Sequence, residues 1–297
     1  METKDNIQAE IYLDTQCTLG EGPIWNDANK ELLWVDILEK TVHSHGFSGK
    51  QSRTTQYPET VGCIALTNKG NWLVALKETI LLCKPFTNTG MVVFRADGSF
   101  PANRFNDGKP APDGSLVVGT MDMEEKMPNG RLYQVKTGQP VTELLPAVTI
   151  SNGLAWDESR GCMYYIDTPT MCVLRAKYDL ATGQIGVFSP FITIPKGIGY
   201  PDGMTIDNNG NLYIAMWAGS AVTVWDGETG NYLYSISVPA LNVTCPVFGG
   251  EKMDELFITS ARVGMSEEQI KKYPLSGGVF RVKLDAKGLK AYRFTEP

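Results

Sequence analysis

The sequence predicts an all-β protein, a six-bladed propeller with four-stranded blades, because one hairpin is written six times along the chain. The clearest copy is YPDGMTIDNNGNLYIAMW, residues 200–217. In it a strand-like run, Gly203 to Ile206, meets the polar turn Asp207-Asn208-Asn209-Gly210 and then a second run, Leu212 to Ala215. Related stretches begin at Glu21, Val61, Asn106, Asn152 and Cys245. Registered on Leu33, Trp72, Leu116, Tyr164, Leu212 and Leu256, the second strands are 39, 44, 48, 48 and 44 residues apart. That is the length one propeller blade needs. The intervening filler also reads as strand, Gly-containing turn and strand, which supplies the outer half of each blade.

The elements follow in order. Residues 7–14, IQAEIYLD, read as a strand before the first repeat, and Gly278 to Phe294 supply more strand after the sixth. The two ends are expected to share a blade and close the ring, leaving no sheet edge open. One helix is expected, Ser266 to Tyr273, with a Ser266/Gln269 capping box and Pro274 as terminator. The repeats run almost end to end, so residues 1–297 read as a single domain.

Composition narrows the class. A net charge of -6 with scattered Lys and Arg argues against a nucleic-acid surface, and no apolar run approaches the roughly 18 residues of a membrane span. The start is polar, without the apolar stretch of a secretory signal, so a cytoplasmic location is expected. Six cysteines, Cys17, Cys63, Cys83, Cys162, Cys172 and Cys245, lie far apart with no CxxC pair and read as free thiols of a reducing compartment. The oligomeric state is not legible.

In a propeller the starts of the inner strands converge around the axis, so equivalent repeat positions are neighbours. The residue before each strand's Gly or Pro gives Glu21, Val61, Asp107 with Asn106 behind it, Asn152, Asp202 and Cys245. A ring of Glu, Asn and Asp oxygens suits a hard cation: Ca²⁺, Mg²⁺ or Mn²⁺, with Zn²⁺ less well served for want of His and Cys. Asx residues before Gly are otherwise turn formers, but Glu21 is not a favoured turn residue. Arg104 is a cation close to this end, able to fork onto carboxylate or hydroxyl oxygens; its competing role is a surface ion pair. Asn106 either meets substrate or caps a turn. His43 and His45 alternate in an outer strand and face away from the channel, which leaves no His nucleophile or base. Trp25, Trp156 and Ile206 occupy equal positions and read as inter-blade core, and Asp36 and Asp167 as partners for blade backbone.

The motifs LGEGPIW, RFNDGKPAPDG, GTMDMEE, SNGLAW, YYIDTPT, YPDGMTIDNNGNLYIAMW and TSAR, from Leu19 to Arg262, together resemble the senescence marker protein, gluconolactonase and luciferin-regenerating enzyme (regucalcin-like) family. The resemblance implies a six-bladed propeller and a metal-dependent lactonase. It places the metal ligands on Glu21, Asn152 and Asp202, and substrate contacts on Arg104 and Asn106. The glutamate of the family's GTM-x-E-E motif falls on Glu125, after one extra residue that leaves Glu124 as its competitor. The activity expected is hydrolysis of a small-molecule sugar (aldono-) lactone with one divalent ion, Ca²⁺ first. Asp202 serves as both ligand and general base, its pKa lowered from about 3.9 by the cation. The alternatives are an organophosphate or aryl-ester hydrolase on the same site, and a non-enzymatic calcium-binding propeller.

Overall fold

A computed structural model describes residues 7–49, 51–96 and 102–297; residues 1–6 of the polar start that bears on location lie outside them. Six sheets, built from antiparallel hairpins, follow one another along the chain. The inner strands are Gly20–Asn26, Cys63–Leu66, Asn103–Pro110, Ser151–Asp157, Tyr200–Ile206 and Asn242–Gly249, blades one to six in order. The blades have four strands each, and the fifth carries an extra one. The core is divided accordingly into apolar clusters between neighbouring blades. Trp25, for example, stacks on Phe257 between blades one and six at 5.7 Å between ring centroids. Wedges of apolar side chains exclude water between blades, which is the main favourable term holding the ring together.

Ring closure is as expected, with one addition. Glu10–Leu13 pairs with Val279–Lys283 as the outermost strand of blade six. Ile7–Gln8 runs parallel to Tyr232–Ser237 and extends blade five instead. Of the C-terminal stretch read as strand, only Val279–Lys283 is one. The remainder crosses the end of the ring where the inner hairpins turn. Lys287 O accepts from Asn208 N in blade five, and Gly288 N donates to Met253 O in blade six. Arg293 pairs with Asp27 of blade one, and Tyr292 donates to Glu158 of blade four. Phe294 N donates to Leu66 O of blade two, and Thr295 N to Gly114 O of blade three. This strap touches all six blades and closes that mouth of the channel over a cavity of about 100 Å³. The outlying hairpin periodicity that ends before residue 284 gives no hint of it.

The helix is Glu267–Lys272, capped by Ser266 with both halves of the capping box in place. All six cysteines are free. His43 stacks on Trp34 and His45 meets Tyr12 edge-on, both between blades one and six and away from the channel. Asp36 accepts from the backbone of Thr18 and Leu19, and Asp167 from that of Thr149 and Ile150. Each carboxylate thus anchors the segment that leads into an inner strand. Among the described residues no helix is long and apolar enough to cross a membrane.

Candidate active site

The inner strands place their chemistry with a repeated irregularity. Pairing with the second strand slips between Glu21 and Ile24, Phe105 and Gly108, Ser151 and Leu154, Pro201 and Met204, and Val243 and Cys245. Such bulges re-aim a side chain that regular pleating would send into a sheet face. They occur in five of the six blades, at corresponding positions along the inner strands. Close passage of neighbouring strands explains the glycine that follows: a Cβ on Gly153 would lie 2.7 Å from Asp202 O, and one on Gly203 would lie 2.4 Å from Cys245 Sγ.

Counting five residues back from each hairpin closure, marked by Asn26, Thr67, Ala111, Asp157, Asp207 and Gly249, gives the true ring. It consists of Glu21, Gly62, Asn106, Asn152, Asp202 and Thr244. The sequence alignment on Gly or Pro was one residue out in three blades, putting Val61, Asp107 and Cys245 where Gly62, Asn106 and Thr244 stand. Cys63, Asp107 and Cys245 lie one step along, beside the glycines of the other blades. In blades three and six the slip came from a bulge whose second residue is Asp or Cys where other blades have glycine.

Hydrogen bonds run through the ring. Arg104 Nη1 donates to Asn106 Oδ1 at 2.5 Å and to Phe105 O at 3.0 Å. Asn106 Nδ2 donates to Asn152 Oδ1 at 2.9 Å, and Asn152 Nδ2 to Thr168 Oγ1 at 2.7 Å. Thr168 passes the chain on to Pro201 O at 2.8 Å, next to Asp202. Thr168 was not singled out in the sequence, although TPT directly after the Asp167 anchor was its signal. Thr244 is turned aside, donating to Gly20 O at 2.6 Å.

Electrostatics makes this ring short of positive charge. Glu21, Asp107 and Asp202 are almost wholly buried. Burial raises the pKa of Glu21, and the Asp107 charge raises it further. Asp202 is pushed well above the usual carboxylate range by burial and then by Glu21, Asp107 and Glu125. The expected lowering of Asp202 therefore belongs to a cation-loaded site; in the protein alone the direction is opposite, because desolvation and like charges both penalise ionisation. Arg104, drawn down to about 10 by burial, is held up by Glu125, Glu21 and Asp202 in that order. Glu125 thus faces Arg104 and Asp202, whereas Glu124 pairs with Lys126 at 3.1 Å in solvent. Glu125 sits at φ 60°, a left-handed conformation in the turn where its N–H donates to Asp122 O.

Two carboxylates, Glu21 and Asp202, and the amide oxygen of Asn152 form a hard-oxygen donor set with excess negative charge, and Asp107 Oδ2 finds no hydrogen-bond partner among the described residues. Those properties fit a divalent cation. No three His, Cys, Asp or Glu side chains among the described residues cluster as a metal site by themselves.

A family model for the SMP-30/Gluconolactonase/LRE-like region matches residues 19–262. The chain belongs to this family. It is 34% identical over 288 residues to a Bacillus subtilis protein named "Putative sugar lactone lactonase YvrE", covering 97% of this chain and 99% of that one. It is 33% identical to Homo sapiens regucalcin over 97% and 99% of the two chains. Among solved structures, a luciferin-regenerating enzyme superposes with a TM-score of 0.90 at 30% identity, over 98% of this chain and all of the other. The calcium-binding protein regucalcin of Agrobacterium tumefaciens gives 0.93 at 27% identity, over 99% of both. Membership of this family supports sugar-lactone hydrolysis in general.

Proposed function

We propose that this protein hydrolyses aldonolactones with one divalent ion, Ca²⁺ in first place, held by Glu21, Asn152 and Asp202. The observation that carries the reading is the junction of a cation-deficient oxygen ring with a guanidinium: Arg104 and Asn106 stand beside the donors, where an ion site alone has no use for them. When bound, the cation would polarise the lactone carbonyl and stabilise the charge that builds on its oxygen.

The chain's own groups do the rest. Arg104 has a planar fork that can hold the ring hydroxyls of a sugar lactone, and Glu125 across from it supplies an acceptor for another. Asn106 fixes the Asn152 amide so that its oxygen stays turned to the ring. Asp202 takes the proton from water as the water oxygen bonds to the carbonyl carbon; the ring C–O bond then breaks, and its oxygen leaves as a hydroxyl after receiving that proton. Asn152 has no proton affinity to act as base, and the histidines lie between blades one and six, away from the channel. A positioned base of this kind contributes about 10² to 10⁴ in rate.

The test is a panel of aldonolactones, aryl lactones and phosphotriesters assayed after chelation and readdition of Ca²⁺, Mg²⁺, Mn²⁺ or Zn²⁺. Metal-restored opening of aldonolactones, with the other two classes slower, is expected. Ion binding without turnover of any class would leave a calcium-binding propeller, as the Agrobacterium regucalcin is named.

A further inference from the structure

Lys109 has no part in the chemistry above, yet it lies three residues beyond Asn106 on its inner strand and bonds across to two neighbouring inner strands. It stands on the inner strand of blade three, two residues past Asp107. Its Nζ donates to Leu154 O in blade four at 3.1 Å and to Met204 O in blade five. Those carbonyls lie two residues beyond Asn152 and Asp202 on the same strands. One ammonium therefore ties together the three strands that carry Asn106, Asn152 and Asp202.

Its ammonium also attracts the carboxylate of Asp107, two residues away on the same strand. The ring position that Lys109 occupies is filled in the other blades by Ile24, Ala65, Ala155, Thr205 and Val247, none of them charged. Among such side chains the half-buried Lys109 lines an apolar cavity with Trp25, Trp156 and Phe248, a place where an ammonium is favoured only when its hydrogen bonds and charge are satisfied.

We propose that Lys109 is the built-in counter-charge of the site: a positioning residue whose ammonium holds the inner strands of blades three, four and five in register and offsets Asp107, so that the ring keeps its shape before any divalent ion arrives. The assignment is independent of which ion the ring takes. A charge fixed near the donors also repels an incoming cation, so Lys109 trades ion affinity for order in the ion-free state.

The experiment is a double-mutant cycle on full-length protein in chelator, read by thermal unfolding. Lys109→Met is expected to lower Tm by roughly 5 °C or more, and adding Asp107→Asn to recover at least half of that loss, because the orphaned carboxylate is gone. Losses that merely add would overturn the proposal. Should Lys109→Met fail to fold, Lys109→Gln keeps hydrogen-bond donors without the charge; the same recovery by Asp107→Asn is expected, and wild-type behaviour of Lys109→Gln alone would overturn the charge role. In a second arm, Ca²⁺ is expected to raise the Tm of the Lys109 variant more than that of wild type, and an equal or smaller rise contradicts the repulsion. If no ion shifts the wild-type Tm, the metal reading of the site fails by itself, and the cycle in chelator still decides the role of Lys109.

Discussion

Asn106 donates its amide hydrogen to Asn152 Oδ1 at 2.9 Å, while Asn152 spends its own Nδ2 on Thr168. The Asn152 side chain is thus gripped at both ends, with one lone pair of its oxygen left for the ring. Groups that orient a ligand in this way typically alter metal affinity about 10- to 100-fold when removed. Thr168→Val, which keeps the shape and loses the hydroxyl, is expected to weaken ion binding about 10-fold by calorimetry. Unchanged affinity would mean that the Thr168 bond serves only blade packing.

Arg104 bonds to Asn106 and feels Glu125, Glu21 and Asp202. A guanidinium cannot be a ligand to a cation, and its charge opposes one. Arg104→Ala is expected to impair kcat/KM for hydroxylated lactones about 100-fold or more, as loss of a charged clamp costs some 2–5 kcal/mol, while ion affinity stays level or rises. A large fall in ion affinity would refute that division of labour.

The pH dependence follows from the raised carboxyls. Glu21 and Asp202 bind protons more tightly folded than unfolded, so between the unfolded value near 4 and the raised folded values the native state holds more protons, and stability falls as pH rises. The chelated protein should therefore have a lower Tm at pH 8 than at pH 5. A divalent ion displaces those protons, so its affinity should increase over the same window, with proton release seen as a buffer-dependent heat of binding. A chelated Tm that climbs steadily from pH 5 to pH 8 would contradict the burial of uncompensated carboxylates.

The C-terminal strap anchors through Phe294, 2% exposed in the cluster between blades two and three. Phe294→Ala should cost about 3–5 kcal/mol, measured by denaturant titration, with kcat per folded molecule nearly unchanged, because the strap closes the mouth opposite the ring.

The propeller was legible because hairpin chemistry recurs at a blade's length, and the Glu21, Asn152 and Asp202 positions were legible because their copies align without a gap. Asp107 and Cys245 were misassigned to the ring because a bulge adds a residue without leaving a mark when its second position is not glycine. The strap was invisible for a different reason. Its bonds go one or two at a time to six separate blades, so no periodicity records them; SEEQIKKY, by contrast, carries its capping signal locally and was found. Lys109 reads in sequence as an ordinary strand lysine, and only the convergence of three inner strands gives it partners.

Asp202 carries the central claim, as ligand and as base. The deciding measurement compares Asp202→Asn with Glu21→Gln, following aldonolactone turnover as divalent ion is titrated to saturation, with ion binding measured independently by calorimetry. Asp202→Asn keeps an oxygen donor and removes the base, so ion binding should weaken modestly while kcat at saturation falls about 10² or more. Glu21→Gln should lose affinity first and regain much of its rate when ion is in excess. Rescue of Asp202→Asn by excess ion, with Glu21→Gln remaining inactive at saturation, would transfer the base to Glu21 and contradict the mechanism.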